Sequence, residues 1–159
     1  LSLHDALPIC VDLANRSRGL TEENFGLNGI NPKSQYIYVM DTFDFYNYAG
    51  RHGHQYDTIV IDPPSFARNK KKTFSVQKDY NLLIEGALNI LSPGGTLLLC
   101  TNSSAFSLKA FKNVIKKTLA QNNIVYEINE VMGLPKDFKT HPHYKPSKYL
   151  KAVFVTIKH

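Results

Sequence analysis

Cysteine is scarce in this 159-residue sequence. The two present, Cys10 and Cys100, are too few for a disulfide framework and are not spaced as metal ligands, so a reducing, cytoplasmic setting is the default expectation. No apolar run approaches the roughly 20 residues that a helix needs to cross a bilayer, and no charged, apolar, small-residue pattern of a secretory signal is found. Neither phosphate-cradling glycine pattern, GxGxxG or GxxxxGK, occurs, which argues against the ordinary nucleotide-binding α/β proteins. Internal repeats and low-complexity segments are lacking as well. What remains has the composition of one globular domain with a real core, 43% hydrophobic and 20% charged. The net charge of +6 and a pI near 9.3 favour an anionic partner, nucleic acid before membrane.

The most informative stretch is Tyr56 to Phe66, YDTIVIDPPSF. Thr58, Ile59, Val60 and Ile61 are apolar or β-branched throughout, the composition of a strand buried on both faces in the middle of a parallel sheet. Pro63 and Pro64 have no N–H for a ladder and fix φ, so the strand stops and Asp62 is left at its carboxyl end, where open α/β sheets hold their ligands. Asp-Pro also ends strands for purely local reasons, so Asp62 reads either as a ligand-facing acid or as a turn former.

Along the chain, Leu1–Ile9 (LSLHDALPI) fits nothing that follows and is expected to be derived from an adapter or vector, leaving residues 10–159 as the domain. Ile9–Leu13 resembles the end of a strand, with Asp12 at its carboxyl end. A helix capped by Asn15 or Ser17 follows, with Leu20 and Leu27 on one face and Asn28-Gly29 as its stop. Tyr36–Met40 is the next strand and again precedes an acid, Asp41. A short helix carries Phe43, Phe45, Tyr46 and Tyr48 as core and closes at Gly50 to Gly53. After Asp62 the spacing predicts a polar loop from Ala67 to Lys78 and a helix over Tyr80–Leu91. Ser92-Pro93-Gly94-Gly95 predicts a stop and glycine turn. Thr96–Cys100 predicts a second fully buried strand, and a helix from Ser107 to about Gln121 is expected to bury Leu108, Phe111, Ile115 and Leu119. Strands Ile124–Val131 and Leu150–Ile157 have no helix between them and are expected to pair antiparallel at one edge. Strands alternating with helices otherwise mean a parallel α/β sheet.

Asp12 after one strand, Asp41 after the next, Asp62-Pro63-Pro64 after a third and Leu91-Ser92-Pro93-Gly94-Gly95 leading into a fourth resembles the motif order of class I S-adenosylmethionine-dependent methyltransferases. That family's fold is a Rossmann-like α/β sheet, mostly parallel with an antiparallel last strand. More narrowly, VDLANRS, EENFGLNG, YDTIVIDPPSFARNKK, KDY, LSPGG and HPHYKPSKYLKAVF together resemble bacterial 23S rRNA large-subunit methyltransferases related to the cytosine-C5 enzyme of type I. The likeness covers nearly all of Cys10–His159. The family's glycine-rich first motif and the strand bearing it would lie upstream of Asp12. Residues 10–159 are therefore expected to be the carboxyl-terminal part of a catalytic domain, of marginal stability alone.

The resemblance implies S-adenosyl-L-methionine as cofactor and ribosomal RNA as partner, with no metal, and it sets no oligomeric state. Asp12 would accept hydrogen bonds from the cofactor's ribose and Asp41 from its adenine end. Asp62, counted with both cofactor and base, would face the target base with the Pro63 and Pro64 backbone, and Phe66 would stack on it. Arg68, Lys70, Lys71 and Lys72 would hold RNA phosphates; on their own they read equally as a solvated loop.

The cytosine-C5 members add a cysteine thiolate to the ring just beyond the strand after the glycine turn. Here Asn102 occupies that position, and Cys100 stands two residues earlier, roughly 6–7 Å back along a strand. Cys100 reads either as that nucleophile displaced or as a buried structural thiol. An asparagine here resembles relatives that methylate a guanine nitrogen, where no covalent adduct is needed. A non-catalytic basic RNA-binding module is the alternative from another class. His141 and His143 form a metal pair by composition only, with no partner at ligand spacing.

Overall fold

The computed structural model describes residues 8–68, 73–141 and 143–158. The chain divides between His52 and Gly53 into two compact units.

In the first unit, β1 (Ile9–Asp12) and β2 (Tyr36–Val39) pair in parallel, with Asp12 opposite Val39. Helix α1 (Asn15–Leu27) joins them, as a crossover between parallel strands requires an intervening segment of this length. It starts at Ala14 with no side-chain cap, in place of the expected Asn15 or Ser17. Its end is as expected. Gly29 has a φ of 71°, and the Ile30 N–H reaches back to the Phe25 carbonyl at 2.9 Å, the paired closure that a left-handed residue after a helix permits. Leu20 and Leu27, seven residues apart on the helix, are both exposed, since Thr21, Glu22, Glu23 and Asn24 between them leave no continuous apolar stripe. The second helix, α2 (Thr42–Arg51), buries Phe45, Tyr46 and Ala49. Tyr38 of β2 packs on Phe45 and Tyr48 with ring centroids 5.2 and 5.9 Å apart; of the aromatics expected as core, Phe45 and Tyr46 are buried and Phe43 and Tyr48 half-buried.

The second unit is a four-stranded sheet in the order β3 (Tyr56–Ile61), β6 (Leu91–Thr101), β8 (Lys151–Ile157), β7 (Tyr126–Met132). Strands β3 and β6 are parallel, and β8 runs antiparallel to both β6 and β7. The last strand therefore inserts between its neighbours, and β7 takes the edge. Helices α3 (Val76–Leu88) and α4 (Leu108–Gln121) bury their apolar faces with Leu97, Leu99, Val153 and Val155. Ser107 caps α4, its Oγ accepting from the Ala110 N–H at 3.2 Å. Of the residues expected inside that helix, Phe111, Ile115 and Leu119 are fully buried, whereas Leu108 in its first turn is 39% exposed.

Further expectations are corrected. The central strand is not buried on both faces: β3 stands at one end of the sheet order, and Val60 is 61% exposed while Ile61 alone is buried. Thr96–Cys100 likewise buries one face, Leu97 and Leu99, and leaves Thr96, Leu98 and Cys100 half-buried. The expected glycine turn is a bulge inside β6. Tyr56 pairs with Leu91 and Thr58 with Thr96, so residues 92–95 bulge out of the ladder, with Gly94 at φ 76°. Part of the expected Ala67–Lys78 loop forms an antiparallel strand pair, β4 (Phe66–Arg68) against β5 (Thr73–Ser75), because Thr73-Phe74-Ser75 alternates like a strand. Helix α3 begins directly after it, four residues ahead of expectation, with the Asp79 carboxylate accepting from the Ser75 N–H at 2.8 Å.

Candidate functional site

In the first unit, two acids end two adjacent parallel strands. The Asp12 Oδ1 accepts from the Ala14 N–H at 2.7 Å, and its main-chain carbonyl accepts from the Met40 N–H at 3.1 Å. Asp41 caps α2, Oδ1 accepting from the Phe43 N–H at 2.9 Å. Each carboxylate thus accepts a hydrogen bond from the backbone that orients it, and a carboxylate offers about four acceptor directions in all. Groups that donate, such as a ribose diol or an exocyclic amine, fit what the strand ends present. Strand-end acids of this kind suit adenosylmethionine.

In the second unit, Asp62 follows β3 and Asn102 follows β6, and the parallel pairing of those strands brings them together. The Asn102 Nδ2 donates to Asp62 Oδ1 at 3.4 Å, and both residues are exposed. Pro63 is half-buried and Pro64 exposed beside them. The result is a donor and an acceptor side by side at the carboxyl ends of two strands, an arrangement that can read the edge of a base. Cys100 is half-buried on β6. Burial first, and then the negative charge of Asp62, pushes its thiol pKa up. That is the opposite of the electropositive setting that activates a cysteine. Cys10 is also pushed up by burial.

Beneath the pair lie residues that the sequence reading missed as part of the site. The Tyr80 hydroxyl from α3 contacts the carbonyl of Ile61 at 3.1 Å and that of Cys100 at 2.9 Å. Thr101 is buried, and its Oγ1 accepts from the Ser103 N–H at 3.3 Å. Lys151, 7% exposed, donates from Nζ to the Ser103 carbonyl at 2.6 Å, and burial lowers its pKa. The signal available for Lys151 was a lone charge heading the apolar run Ala152-Val153-Phe154-Val155. For Tyr80 it was a tyrosine in the first turns of a helix whose other apolar positions are aliphatic.

Phe66 is 61% exposed on β4, with Arg68 exposed on the same short strand. Lys70, Lys71 and Lys72 lie outside the described residues. His141 and His143 have ring centroids 5.7 Å apart, and among the described residues no group of three metal-ligating side chains exists. No helix among the described residues is long and apolar enough to cross a membrane.

Residues 6–155 match the model of a family described as S-adenosylmethionine-dependent methyltransferase. The YwbD protein of Bacillus subtilis, named provisionally as a ribosomal RNA large subunit methyltransferase, is 42% identical over 148 residues, 93% of this chain and 37% of its own length. Ribosomal RNA large subunit methyltransferase K of Neisseria meningitidis is 32% identical over 131 residues, 81% of this chain and 35% of its own. The crystal structure of SMU.776, described provisionally as a methyltransferase and complexed with SAH, superposes with a TM-score of 0.84 at 40% identity, covering 92% of this chain and 38% of that one. The chain therefore spans little more than a third of the length of each of these three proteins.

Proposed function

The chain belongs to the S-adenosylmethionine-dependent methyltransferase family, with its α/β Rossmann-like fold, and on that premise we propose that it serves methyl transfer from adenosylmethionine to a guanine nitrogen of large-subunit ribosomal RNA. The RNA substrate is supported by the names of the relatives and by the basic charge of +6. The observation that carries the choice of atom is the Asn102–Asp62 contact at 3.4 Å, beside a thiol whose pKa burial and the Asp62 charge both raise.

When bound, the cofactor supplies a methyl group on a positively charged sulfur. Asp12 and Asp41 accept hydrogen bonds from its ribose and adenine ends. Guanine presents N–H donors at N1 and N2 and an acceptor at O6. In this reading Asp62 accepts from the N–H edge while the second N–H of the Asn102 amide donates to O6. If the exocyclic amine is the nucleophile, the N–C bond would form as the sulfur–methyl bond breaks and leaves its electron pair on a neutral thioether, and the proton the amine sheds would pass to the Asp62 carboxylate. Positioning and electrostatics are then the protein's main contribution. Phe66 stacks on the base, and Arg68 with Lys70, Lys71 and Lys72 holds phosphates.

The second reading, methylation at cytosine C5, is favoured by the presence of a thiol, Cys100, two residues before Asn102. It requires a thiolate, which burial and the Asp62 charge both oppose. One experiment separates the two. Ribosomal RNA carrying tritium on cytosine C5 is incubated with adenosylmethionine and the protein. Transfer to C5 displaces that tritium into water, whereas methylation with the tritium retained supports a nitrogen. Calorimetric titration of adenosylmethionine into this chain, and into a protein of the relatives' full length that contains it, tests the cofactor half. If neither takes it up, Asp12 and Asp41 are ordinary strand-end acids.

A further inference from the structure

The ladder between β3 and β6 ends at the pair Ile61–Leu99. The sequence explains the stop, since Pro63 and Pro64 have no N–H to donate and no rung can form beyond Asp62. Two main-chain carbonyls at the strand ends, those of Ile61 and Cys100, are met instead by a side chain from outside the sheet. The Tyr80 hydroxyl lies 3.1 Å from the first and 2.9 Å from the second. Its one proton is shared between two acceptors, so it substitutes for the missing rung. The residue is fully buried, and its ring is fixed edge-on against Phe111 at a centroid distance of 4.9 Å. The phenol therefore has a defined origin in the α3–α4 layer. The residue after Ile61 is Asp62, and two residues after Cys100 comes Asn102.

We propose that Tyr80 is a positioning residue: its hydroxyl ties the ends of β3 and β6 and thereby sets the spacing at which the Asn102 amide meets the Asp62 carboxylate. The inference rests on the reading of that pair as the base-binding group, but its geometry is testable without the reaction. The pair bonds at 3.4 Å, at the long end for a hydrogen bond, so a small drift of either strand end breaks it.

The test follows the Asn102 side-chain amide by NMR in ¹⁵N-labelled protein, with Asp62→Ala as the reference for a lost contact. Tyr80→Phe keeps the ring and its packing and removes only the hydroxyl. The expected result is movement of the two Asn102 Nδ2 proton signals at least half-way to their positions in Asp62→Ala. Unmoved signals in a folded Tyr80→Phe protein overturn the proposal, because a merely structural role lowers the melting temperature without shifting that amide in the molecules that stay folded. Should Tyr80→Phe not fold, replacement of Tyr80 by 4-aminophenylalanine carries the test. Its amine has two N–H groups for the two carbonyls, so the Asn102 signals are expected at their wild-type positions, and displaced signals overturn the proposal. Failure of the base-binding reading looks different: methyl transfer would survive Asp62→Ala and Asn102→Ala whatever the amide signals do.

Discussion

The Asn102 amide donates to the Asp62 carboxylate at 3.4 Å across forty residues of sequence. Two strand ends that run parallel are what bring them there. If the pair reads the base as a unit, the losses on removing its members are not additive. Asp62→Ala and Asn102→Ala are each expected to lower methyl transfer to RNA by about 10- to 100-fold, the equivalent of roughly 1.5–3 kcal/mol for a hydrogen bond involving a charged group. The double variant should lose little more than the worse single one, and cofactor affinity measured by titration should stay put. Additive losses would mean that the two side chains act separately.

Cys100 should be dispensable. Its thiol is held above the ordinary range by burial and by Asp62, so at neutral pH the thiolate fraction is below that of a free cysteine. Iodoacetamide is expected to modify Cys100 more slowly than a small thiol at about pH 7.5, with the rate still climbing past the ordinary thiol pKa of about 8.5. Cys100→Ala is expected to keep methyl transfer within about threefold, since surface-accessible chemistry does not pass through it. Abolished activity in Cys100→Ala, with Asn102→Ala tolerated, would favour the cytosine-C5 route instead.

The order of elements and the acids that end the strands were legible because strand composition, proline and helical spacing are local signals. Asp12, Asp41 and Asp62 all lie where sequence patterning puts them. The partnership of Asp62 with Asn102 was not legible from spacing alone, since it depends on which strands are neighbours and in what register. Burial of β3 was misjudged for the same reason. An apolar run such as Thr58–Ile61 tells how well a strand would tolerate two covered faces, not how many neighbours it has, and here Val60 is exposed. Tyr80 and Lys151 escaped because a buried polar group is specified by its partners, and here the carbonyls of Ile61, Cys100 and Ser103 are backbone groups, which carry no sequence signal.

Phe66 and Arg68 separate two contributions to RNA affinity. Phe66 is 61% exposed, so its loss should leave stability unchanged. Phe66→Ala is expected to weaken binding of a cognate RNA fragment by about 1–3 kcal/mol, the worth of one stacked base, with the salt dependence retained. Arg68→Gln should instead reduce the slope of log affinity against log salt by about 1, without changing which base is methylated. Fluorescence anisotropy over a range of salt concentrations measures both. A Phe66→Ala protein that binds RNA as tightly as wild type would remove Phe66 from the site.

The bulge in β6 makes a prediction about stability. A Cβ added at Gly95 would stand 2.8 Å from the Leu91 Cγ and Cδ1 and from the Ser92 carbonyl oxygen. Leucine can rotate away, but the carbonyl belongs to the bulge itself and cannot. Gly95→Ala is thus expected to cost about 1–3 kcal/mol in urea unfolding, as overpacking does. Gly26→Ala, in helix α1 with nothing within 4 Å, should gain up to about 1 kcal/mol in helix stability, read from slower amide exchange in α1. Equal tolerance at both positions would mean that the bulge relaxes freely.

Lys151 links stability to pH with a definite sign. Burial lowers its pKa from the lysine value of 10.5, so between the folded-state pKa and that value the unfolded chain binds more protons than the folded one. Stability from this group therefore rises with pH across that window, and below it the folded protein carries the full cost of a buried ammonium. Its bond to the Ser103 carbonyl at 2.6 Å survives deprotonation, since a neutral amine still donates. Lys151→Met removes the titrating group and leaves that carbonyl without this donor. The stability of wild type relative to Lys151→Met, measured by denaturant unfolding, is thus expected to be larger at about pH 10 than at about pH 7, toward the ordinary lysine range. A difference that stays flat, or that shrinks as pH rises, would mean the ammonium is as well solvated in the folded chain as in the unfolded one, and that its contact with Ser103 does not desolvate it.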